Sequence, residues 1–470
     1  MKKYIALMTM VGSAFMMSAQ MPANEWTYQV GKAAVLIKTQ PEAAEDAFNK
    51  LLKGKNGKNT GLLVEIGRAY LSVGDISTAS SYAERAKDID SHCADAYVLS
   101  GDIALLNKNV NQASSDYNQA IYLDEDCSEA YLKYAEVYQG VNPQYSIEML
   151  QRLEDKLPDD SRIDKQMGDI YYGMGQYGKA IEAYDEYWEN GIPGIQDFTR
   201  YATLLYLNKE FNESLAVVLE GLALDMDNEV LQRLSMYNHY ELGKYEEGLK
   251  NAKLFFASNN VPEYVYLDYV YYGRLLNQNQ QCEEAVVQYE KALELDSTQA
   301  DVYHELTALY EKKQDYPQAI AVYKRYLEVT NETEDIGDLF LWGRLNYYAA
   351  ANPILKDQQP NYLAAADTAF ARVMEYAPEN YLGSFWRART HSLIDPETTE
   401  GLAKPYYERA LAILEQHPDT SVSLKVECLS YLGYYYFVKE DYPQSKEYWI
   451  KILAIEPNNE TAKTALEGMK

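Results

Sequence analysis

The sequence contains few of the residues from which catalytic and metal sites are usually built. Its 470 residues include four cysteines and five histidines, and the histidines are dispersed without the spacing of metal ligands. It has neither a GxSxG nucleophile motif nor a phosphate-binding Walker loop, and no cysteine has a plausible histidine partner. We therefore expect no catalytic residue, no cofactor and no metal, so the protein is predicted not to be an enzyme. The histidines are His92, His239, His304, His391 and His417.

Positive charge and long apolar runs are also scarce. Lysine and arginine number 43 against 71 aspartates and glutamates, which gives a net charge of −28. Such a surface repels nucleic acid and anionic lipid, so neither is expected as a partner. Beyond the N-terminal segment no stretch is apolar enough to cross a bilayer. Sustained alternation of apolar and polar residues is absent as well, so no β-sheet is expected.

The N-terminal segment MKKYIALMTMVGSAFMMSAQ has two lysines, an uncharged apolar run and a small-residue ending. These features predict a secretory signal peptide over residues 1–19, cleaved after Ala19. An uncleaved anchor and a cytoplasmic amphipathic segment are the alternatives. Because no cysteine lies near the cut, the exported protein is not expected to be a lipoprotein. It is predicted to reside in the periplasm or cell envelope, without a membrane span after cleavage.

The most regular part of the sequence contains one pattern written twice. Apolar residues recur at i, i+3, i+4 and i+7, which predicts amphipathic helices, and the whole pattern then repeats without a slip. A fixed period of this length is typical of a solenoid of two-helix units. The residues Tyr269, Leu276, Ala285 and Tyr289 are followed at that constant spacing by Tyr303, Tyr310, Ala319 and Tyr323.

The order of residue types in this unit, together with its period, resembles the tetratricopeptide repeat (TPR). The resemblance extends over nearly the whole chain after the signal peptide, as about eleven units and a degenerate N-terminal pair. It implies an all-α fold, a right-handed superhelical solenoid of antiparallel helix pairs whose first helices line a concave groove. The residues that carry it in the best unit are Tyr269, Gly273, Leu276, Ala285, Tyr289 and Ala292.

The regularity of the repeats divides the chain into segments. After the signal peptide, residues 20–59 are predicted to form a degenerate helix pair and a linker. Residues 60–334 form the regular TPR array, and residues 335–425 form irregular repeats with the insertions ANPILKDQQPN and IDPETTE. Residues 426–470 contain the last TPR and a polar helix that caps the open end of the stack.

Cys93 and Cys127 are one repeat period apart and therefore occupy the same place in adjacent repeats. Equivalent points in stacked helices are separated by about 8–10 Å. A disulfide needs Cα atoms within about 7 Å. We therefore expect no disulfide between them, although export would place the pair in an oxidising compartment.

The resemblance also assigns groove positions, the second, fifth, ninth and twelfth residues of each first helix. In the third and fourth repeats these are Glu129, Leu132, Glu136, Gln139, Arg162, Lys165, Asp169 and Tyr172. Acidic residues at groove positions of the early repeats contradict the carboxylate clamp of the family, which needs lysine, arginine and asparagine. Further along, tyrosine and arginine suit an interface or merely solvate the groove. The residues predicted to contact a partner are Tyr172, Tyr206, Arg233, Tyr237, Tyr240 and Arg274.

Two classes of function fit these features. The first is a non-catalytic scaffold that binds a protein or peptide in the concave groove. The second is an envelope protein that binds carbohydrate through exposed aromatic rings of the C-terminal repeats, with Trp342, Trp386 and Trp449 as candidates for stacking on sugars. TPR motifs indicate a mode of binding and leave the partner, the process and the oligomeric state open.

Overall fold

The computed structural model describes residues 25–257, 263–331, 335–416 and 421–469. The predicted signal peptide with its cleavage site, most of the expected loop at Ser258 to Glu263, and His417 lie outside the described residues. Within the described ranges all regular secondary structure is helical, which confirms the all-α prediction. The handedness of the superhelix stays a prediction.

The helices of the described residues form twelve consecutive pairs and one last single helix. The first six pairs are α1 (Glu25–Ala34), α2 (Pro41–Leu51), α3 (Thr60–Ser72), α4 (Ile76–Ile89), α5 (Ala94–Leu106), α6 (Val110–Leu123), α7 (Ser128–Tyr138), α8 (Pro143–Glu154), α9 (Arg162–Gly173), α10 (Tyr177–Asn190), α11 (Ile195–Leu207) and α12 (Phe211–Leu224). The remaining helices are α13 (Glu229–Glu241), α14 (Tyr245–Ala257), α15 (Tyr266–Gln278), α16 (Cys282–Leu295), α17 (Ala300–Lys312), α18 (Tyr316–Thr330), α19 (Ile336–Ala351), α20 (Gln359–Tyr376), α21 (Tyr381–Ile394), α22 (Lys404–Gln416), α23 (Val422–Val438), α24 (Tyr442–Ile455) and α25 (Glu460–Gly468). Short 3₁₀ helices occur at Gly54–Lys58 and Pro353–Gln358.

The chain divides into two compact units, of which the first ends at Leu234 and the second begins at Ser235. The core of the first unit contains three clusters of buried side chains, centred on Phe48, Tyr117 and Tyr184. A cluster in the second unit surrounds Phe370 and Trp386. The finer segments predicted at residues 20–59, 60–334, 335–425 and 426–470 stay a prediction.

A glycine of the first helix faces an aromatic ring of the second helix in several pairs. A Cβ atom on Gly101 would lie 2.4 Å from Cε1 of Tyr117, so only glycine permits this close approach of the two helices. The ring follows the glycine at one constant spacing in most of these pairs, and at a longer spacing only in the pair α19 and α20. The extra length equals that of the inserted ANPILKDQQPN, so the insertion extends the connection and preserves the contact. The other pairs are Gly168 with Tyr184, Gly273 with Tyr289, Gly343 with Phe370, and Gly433 with Trp449.

The turn between the two helices of a pair commonly contains one residue in the left-handed backbone conformation. Gly175 has a φ of +70° between α9 and α10, and Lys209 has a φ of +64° between α11 and α12. This conformation ends the first helix and lets the chain reverse. The stretch GMGQYG, Gly173 to Gly178, matches the GxGxxG pattern of dinucleotide-binding sites by letter, but a helix rather than a strand precedes it, and it forms the turn between α9 and α10.

The cysteines are placed by the same repeat geometry. Cys93 and Cys127 are the residues immediately before α5 and α7, so each occupies the start of a first helix. All four cysteines of the chain lie within the described residues and are free thiols.

Candidate functional site

The first unit contains a cavity of 640 Å³ formed by the first helices α7, α9 and α11. Every groove position assigned to α7 and α9 from the sequence lines this cavity. Three further residues of the lining were not assigned from the sequence. The lining residues are Glu129, Leu132, Lys133, Glu136, Gln139, Arg162, Lys165, Gln166, Asp169, Tyr172 and Arg200.

The three unassigned residues, Lys133, Gln166 and Arg200, share one place in the repeat. Each is the sixth residue of the same register in which the groove positions are the second, fifth, ninth and twelfth. A residue at the sixth position lies one helical turn from the second and from the ninth, so it faces the same side. If the sixth position had been included among the groove positions, these three residues would have been assigned from the sequence.

A carboxylate at the ninth position pairs with a cation at the sixth position of the next repeat. Lys133 Nζ lies 3.0 Å from Asp102 Oδ1, and the hydroxyl of Tyr117 donates a hydrogen bond of 2.7 Å to the same oxygen. Arg200 donates to Asp169 in the same way, and Tyr184 donates to Asp169 at 2.6 Å. The buried tyrosines of the core thus fix carboxylates on the groove side.

The other two cations of the cavity are also paired. Lys165 Nζ lies 3.3 Å from Asp169 and 3.1 Å from Asp197. Burial lowers the pKa of Lys165, but these two carboxylates more than offset that effect and the net pKa is raised, so the ammonium stays protonated. Arg162 pairs with Asp160 at 2.5 Å and lies 3.6 Å from Glu129.

Adjacent repeats are also joined by hydrogen bonds to uncharged acceptors along the cavity. Gln166 Nε2 donates to the carbonyl oxygen of Leu132 at 2.7 Å, and Arg162 donates to Ser128 Oγ at 2.8 Å. The partners of each bond are one repeat period apart, so these bonds connect equivalent surfaces of α7 and α9. They hold the lining side chains in fixed positions before any ligand arrives.

Three lining residues take no part in these ion pairs and hydrogen bonds. Glu136 and Gln139 are exposed, and neither side chain has an ion-pair or hydrogen-bond partner among the described residues. The half-buried ring of Tyr172 lies 6.1 Å from the ring of Tyr177, centroid to centroid. This end of the cavity, at the last turns of α7 and α9, therefore offers uncommitted acceptors and an aromatic surface.

The second unit contains a similar interaction with reversed charges. Arg274 Nε donates to Glu305 at 2.8 Å, and Tyr289 donates to the other oxygen of that carboxylate at 2.8 Å. The guanidinium also lies over the rings of Tyr240 and Tyr271, at 5.8 and 5.4 Å from their centroids. Arg274 and Tyr240, both predicted groove residues, are thus bound to neighbours inside their own unit.

Tyr237 departs from the groove prediction. Only 5% of the residue is exposed, its hydroxyl donates to Asp268 at 2.7 Å, and its ring stacks on Tyr271 at 4.1 Å. The tyrosine occupies a groove position by count, but the buried carboxylate of Asp268 draws it into the packing of the second unit. The contacts of Tyr237 in the structure are packing contacts of the second unit.

The six predicted contact residues are divided between the two units. Tyr172, Tyr206 and Arg233 belong to the first unit, and Tyr237, Tyr240 and Arg274 to the second. Tyr206 and Arg233 are half-buried, and the ring of Tyr206 lies 5.6 Å from Phe211. Tyr172 lines the described cavity. Their contact with a partner stays a prediction.

The tryptophans proposed for carbohydrate stacking are largely enclosed. Trp386 is 8% exposed and Trp449 is 5% exposed. Trp449 fills the space opposite Gly433, where a Cβ atom would lie 2.8 Å from the indole. Trp342 is half-buried, with its ring 6.4 Å from that of Tyr323. Trp386 and Trp449 are therefore core residues of their repeats, and neither ring presents an exposed face to a sugar.

Over the described ranges, no cluster of three or more histidine, cysteine, aspartate or glutamate side chains is arranged to hold a metal ion. His391 instead lies 2.9 Å from Asp367, which also accepts from Arg387 at 2.7 Å.

Several of the helix pairs match models of known families. Models described as tetratricopeptide repeat match residues 94–127, 166–187 and 302–336, and a model described as TPR repeat matches residues 273–314. The matched stretches of the chain are tetratricopeptide repeats. A TPR repeat-containing protein of Methanocaldococcus jannaschii is 24% identical over 325 residues, which cover 62% of this chain and 56% of that protein. The match therefore spans about half the length of that relative.

Solved TPR structures were also found. The C-terminal part of a TPR repeat-containing protein from Cytophaga hutchinsonii is 28% identical, covers 57% of this chain and 99% of its own, and superposes with a TM-score of 0.46. A tetratricopeptide repeat protein from Parabacteroides merdae is 16% identical, covers 53% of this chain and 98% of its own, and has a TM-score of 0.34.

Proposed function

We propose that the protein is a non-catalytic scaffold that binds an extended segment of a partner protein in the cavity of its first unit. The observation that carries this proposal is the convergence of side chains from three successive first helices on one cavity of 640 Å³. Four cations, three carboxylates, two amides, a leucine and a tyrosine line it. A polypeptide offers matching groups for each of these types along its backbone and side chains.

The ion pairs of the cavity support this function energetically. Lys133, Lys165 and Arg200 are already held by carboxylates, so a ligand does not have to order these long side chains. Immobilising such a side chain on binding costs roughly 0.5–1.5 kcal/mol. A cavity with pre-ordered walls thus loses less affinity to conformational entropy than a flexible surface does.

The proposal is tested by removing uncommitted side chains from the cavity. In the variant Gln139→Ala/Tyr172→Ala, the exposed amide and the half-buried ring are lost, and both lie outside the ion pairs that join the repeats. We expect a partner recovered with the wild-type chain from an envelope extract to be lost with this variant. Equal helicity by circular dichroism shows that the fold is retained.

The matched control removes the same two types of side chain from a second helix. Asn118 and Tyr122 are exposed on α6, and Tyr122 is 80% exposed. We expect Asn118→Ala/Tyr122→Ala to bind the partner as the wild type does. Recovery of the partner with both double variants would contradict the assignment of binding to the cavity.

We also propose that the chain is exported and acts in the periplasm or at the cell envelope. Its support is the sequence of residues 1–19, with two lysines before an uncharged apolar run. No helix in the described part of the chain is long and apolar enough to span a membrane. Export predicts that N-terminal sequencing of the protein from its own cells begins at Gln20. A chain that retains Met1 and fractionates with the cytoplasm would contradict it.

A further inference from the structure

We infer that the segment bound in the cavity presents a lysine or arginine side chain to Glu136. The inference rests on the proposed function, because it specifies the chemistry of the segment that occupies the same cavity. It follows from the balance of charges in the cavity, from the position of Glu136 on its helix, and from the groups beside it.

The positive charges of the cavity are already used within the protein. Its four cations form ion pairs with five carboxylates, which belong to Asp102, Glu129, Asp160, Asp169 and Asp197. Glu136 adds a sixth carboxylate. An acidic segment would therefore have to compete with the internal carboxylates that already pair with these cations, whereas a basic segment meets excess negative charge.

Glu136 is the uncommitted charge of this set. It is exposed, it lines the cavity, and it has no ion-pair or hydrogen-bond partner among the described residues. It lies in the last turn of α7, where the free carbonyl groups of the helix end add partial negative charge. Both effects favour a cation at this end of the cavity.

Gln139 and Tyr172 supply the remaining features of a site for a cationic side chain. Gln139 follows the last residue of α7, and its exposed amide has a carbonyl acceptor for an N–H group. Tyr172 lies in the last turn of α9, and a tyrosine ring attracts an ammonium or guanidinium placed over its face. A carboxylate, an amide and an aromatic ring thus line the same end of one cavity.

The net charge of the chain acts in the same direction. At −28, the protein attracts a basic segment from a distance and repels an acidic one. The attraction is screened by salt over about 8 Å at physiological ionic strength, so association of a basic segment slows as salt is added.

A selection from randomised peptides tests the inference without knowledge of the natural partner. Short random segments are inserted in a neutral display protein, so that no peptide terminus contributes charge, and are selected on the full chain. We expect lysine or arginine to be enriched at one position of the bound segments. The best segment should bind Glu136→Gln about fivefold more weakly than wild type, the effect of one solvent-accessible ion pair.

The control is Glu148→Gln, which neutralises an exposed glutamate on the second helix α8 and should leave binding unchanged. Segments that require Gln139 and Tyr172 but show no basic preference, or that bind Glu136→Gln as tightly as wild type, would overturn the inference and leave the proposed function standing. Failure to select any segment that Gln139→Ala/Tyr172→Ala loses would contradict both.

Discussion

The two units contain the same inter-repeat ion pair with opposite polarity. In the first unit the ninth position of one repeat is acidic and the sixth position of the next is basic. In the second unit the basic residue comes first and the acidic residue follows. The separation along the chain is the same in each case. The pairs are Asp102 with Lys133, Asp169 with Arg200, and Arg274 with Glu305.

In both units the core tyrosine donates its hydrogen bond to the acidic partner of the ion pair. Tyr184 donates to Asp169, which lies earlier in its own repeat, whereas Tyr289 donates to Glu305, which lies later, in the next repeat. Burial and then the neighbouring carboxylate raise the pKa of both phenols, so each remains a neutral donor. The comparison teaches that the solenoid fixes a geometry between neighbouring first helices, and that either arrangement of charge can fill it.

The two arginine pairs differ in the exposure of the cation. The side chain of Arg274 is 24% exposed and that of Arg200 is 43% exposed, whereas the carboxylates Glu305 and Asp169 are 28% and 21% exposed. A less exposed cation is more expensive to remove because its partner loses a counter-charge that water replaces less well. Removing Arg274 should therefore cost more stability than removing Arg200.

The largest effect is expected from reversing one charge in the second unit. Arg274→Asp places a carboxylate beside Glu305 and removes the cation that lies over Tyr240 and Tyr271. We expect the variant to lose about 3–4 kcal/mol of local stability. Hydrogen exchange of the amides in α15 and α17 measures the loss. Arg325→Asp, at a site where the arginine is 68% exposed, should change it by less than about 0.5 kcal/mol.

A smaller net effect is expected when both charges of this pair are exchanged. In Arg274→Asp/Glu305→Arg, the new carboxylate at position 274 precedes Tyr289 by the same spacing at which Asp169 precedes Tyr184. Tyr289 can then donate within its own repeat, so we expect stability within about 1–2 kcal/mol of wild type. A double-mutant cycle reads out the coupling. Additive losses would show that the two arrangements are not interchangeable.

In the first unit, breaking the corresponding pair should matter less. Arg200→Ala leaves Asp169 with Lys165 at 3.3 Å and with Tyr184, so the carboxylate keeps a cation and a donor. We expect a loss of about 1 kcal/mol, measured by guanidinium unfolding fitted with a nearest-neighbour repeat description. A loss as large as that of Arg274→Asp would contradict the difference drawn between the units.

The sequence predicted the helix pairs and much of the cavity wall because both depend on the repeat period. The constant repeat spacing places Glu129, Leu132 and Glu136 of α7, and Gln139 directly after it, in the cavity wall, and it does the same for their counterparts on α9. The glycine that faces an aromatic ring keeps its partner even where an insertion lengthens the repeat. These features are local to a helix pair, so the sequence pattern contains them.

Contacts between neighbouring repeats were harder to predict. The cavity cations at the sixth position, Lys133 and Arg200, were missed because the groove positions carried over from the family do not include it. Tyr237 was assigned to the groove, although the buried Asp268 of a neighbouring helix draws it inward. The placement of these side chains depends on which residues of neighbouring repeats contact each other. The pattern of apolar residues within one helix does not contain that information.

The pH dependence of stability is expected to have opposite sign in the two units. Burial, followed by Glu154 and Glu186, raises the pKa of Asp164 to about 6. Folding therefore raises the proton affinity of this group above that of the unfolded chain, near 3.9, so its contribution to stability grows as pH falls from about 6 to 4. Asp164→Asn should reduce the change with pH in the free energy of unfolding of the first unit over that range. The control Asp159→Asn, on an exposed turn, should leave that change as it is in the wild type.

Asp367 of the second unit behaves in the opposite way. Burial raises its pKa, but hydrogen bonds from His391 and Arg387 outweigh burial and lower the pKa to about 2. Its contribution is present above the unfolded pKa near 3.9 and is lost as pH falls through about 4 to 2. Asp367→Asn should therefore reduce the acid sensitivity of the second unit. Hydrogen exchange of α20 and α21 between pH 2 and 5 checks this sign.

The central claim, that the cavity of the first unit binds a partner polypeptide, is tested most directly by site-specific photo-crosslinking. A photoreactive phenylalanine derivative replaces Gln139 in the cavity or, in a separate chain, Asn118 on the outer helix α6. A defined partner band should form from position 139 and disappear when an excess of an uncrosslinkable chain competes. Equal crosslinking from both positions, or a band from position 118 alone, would contradict the claim.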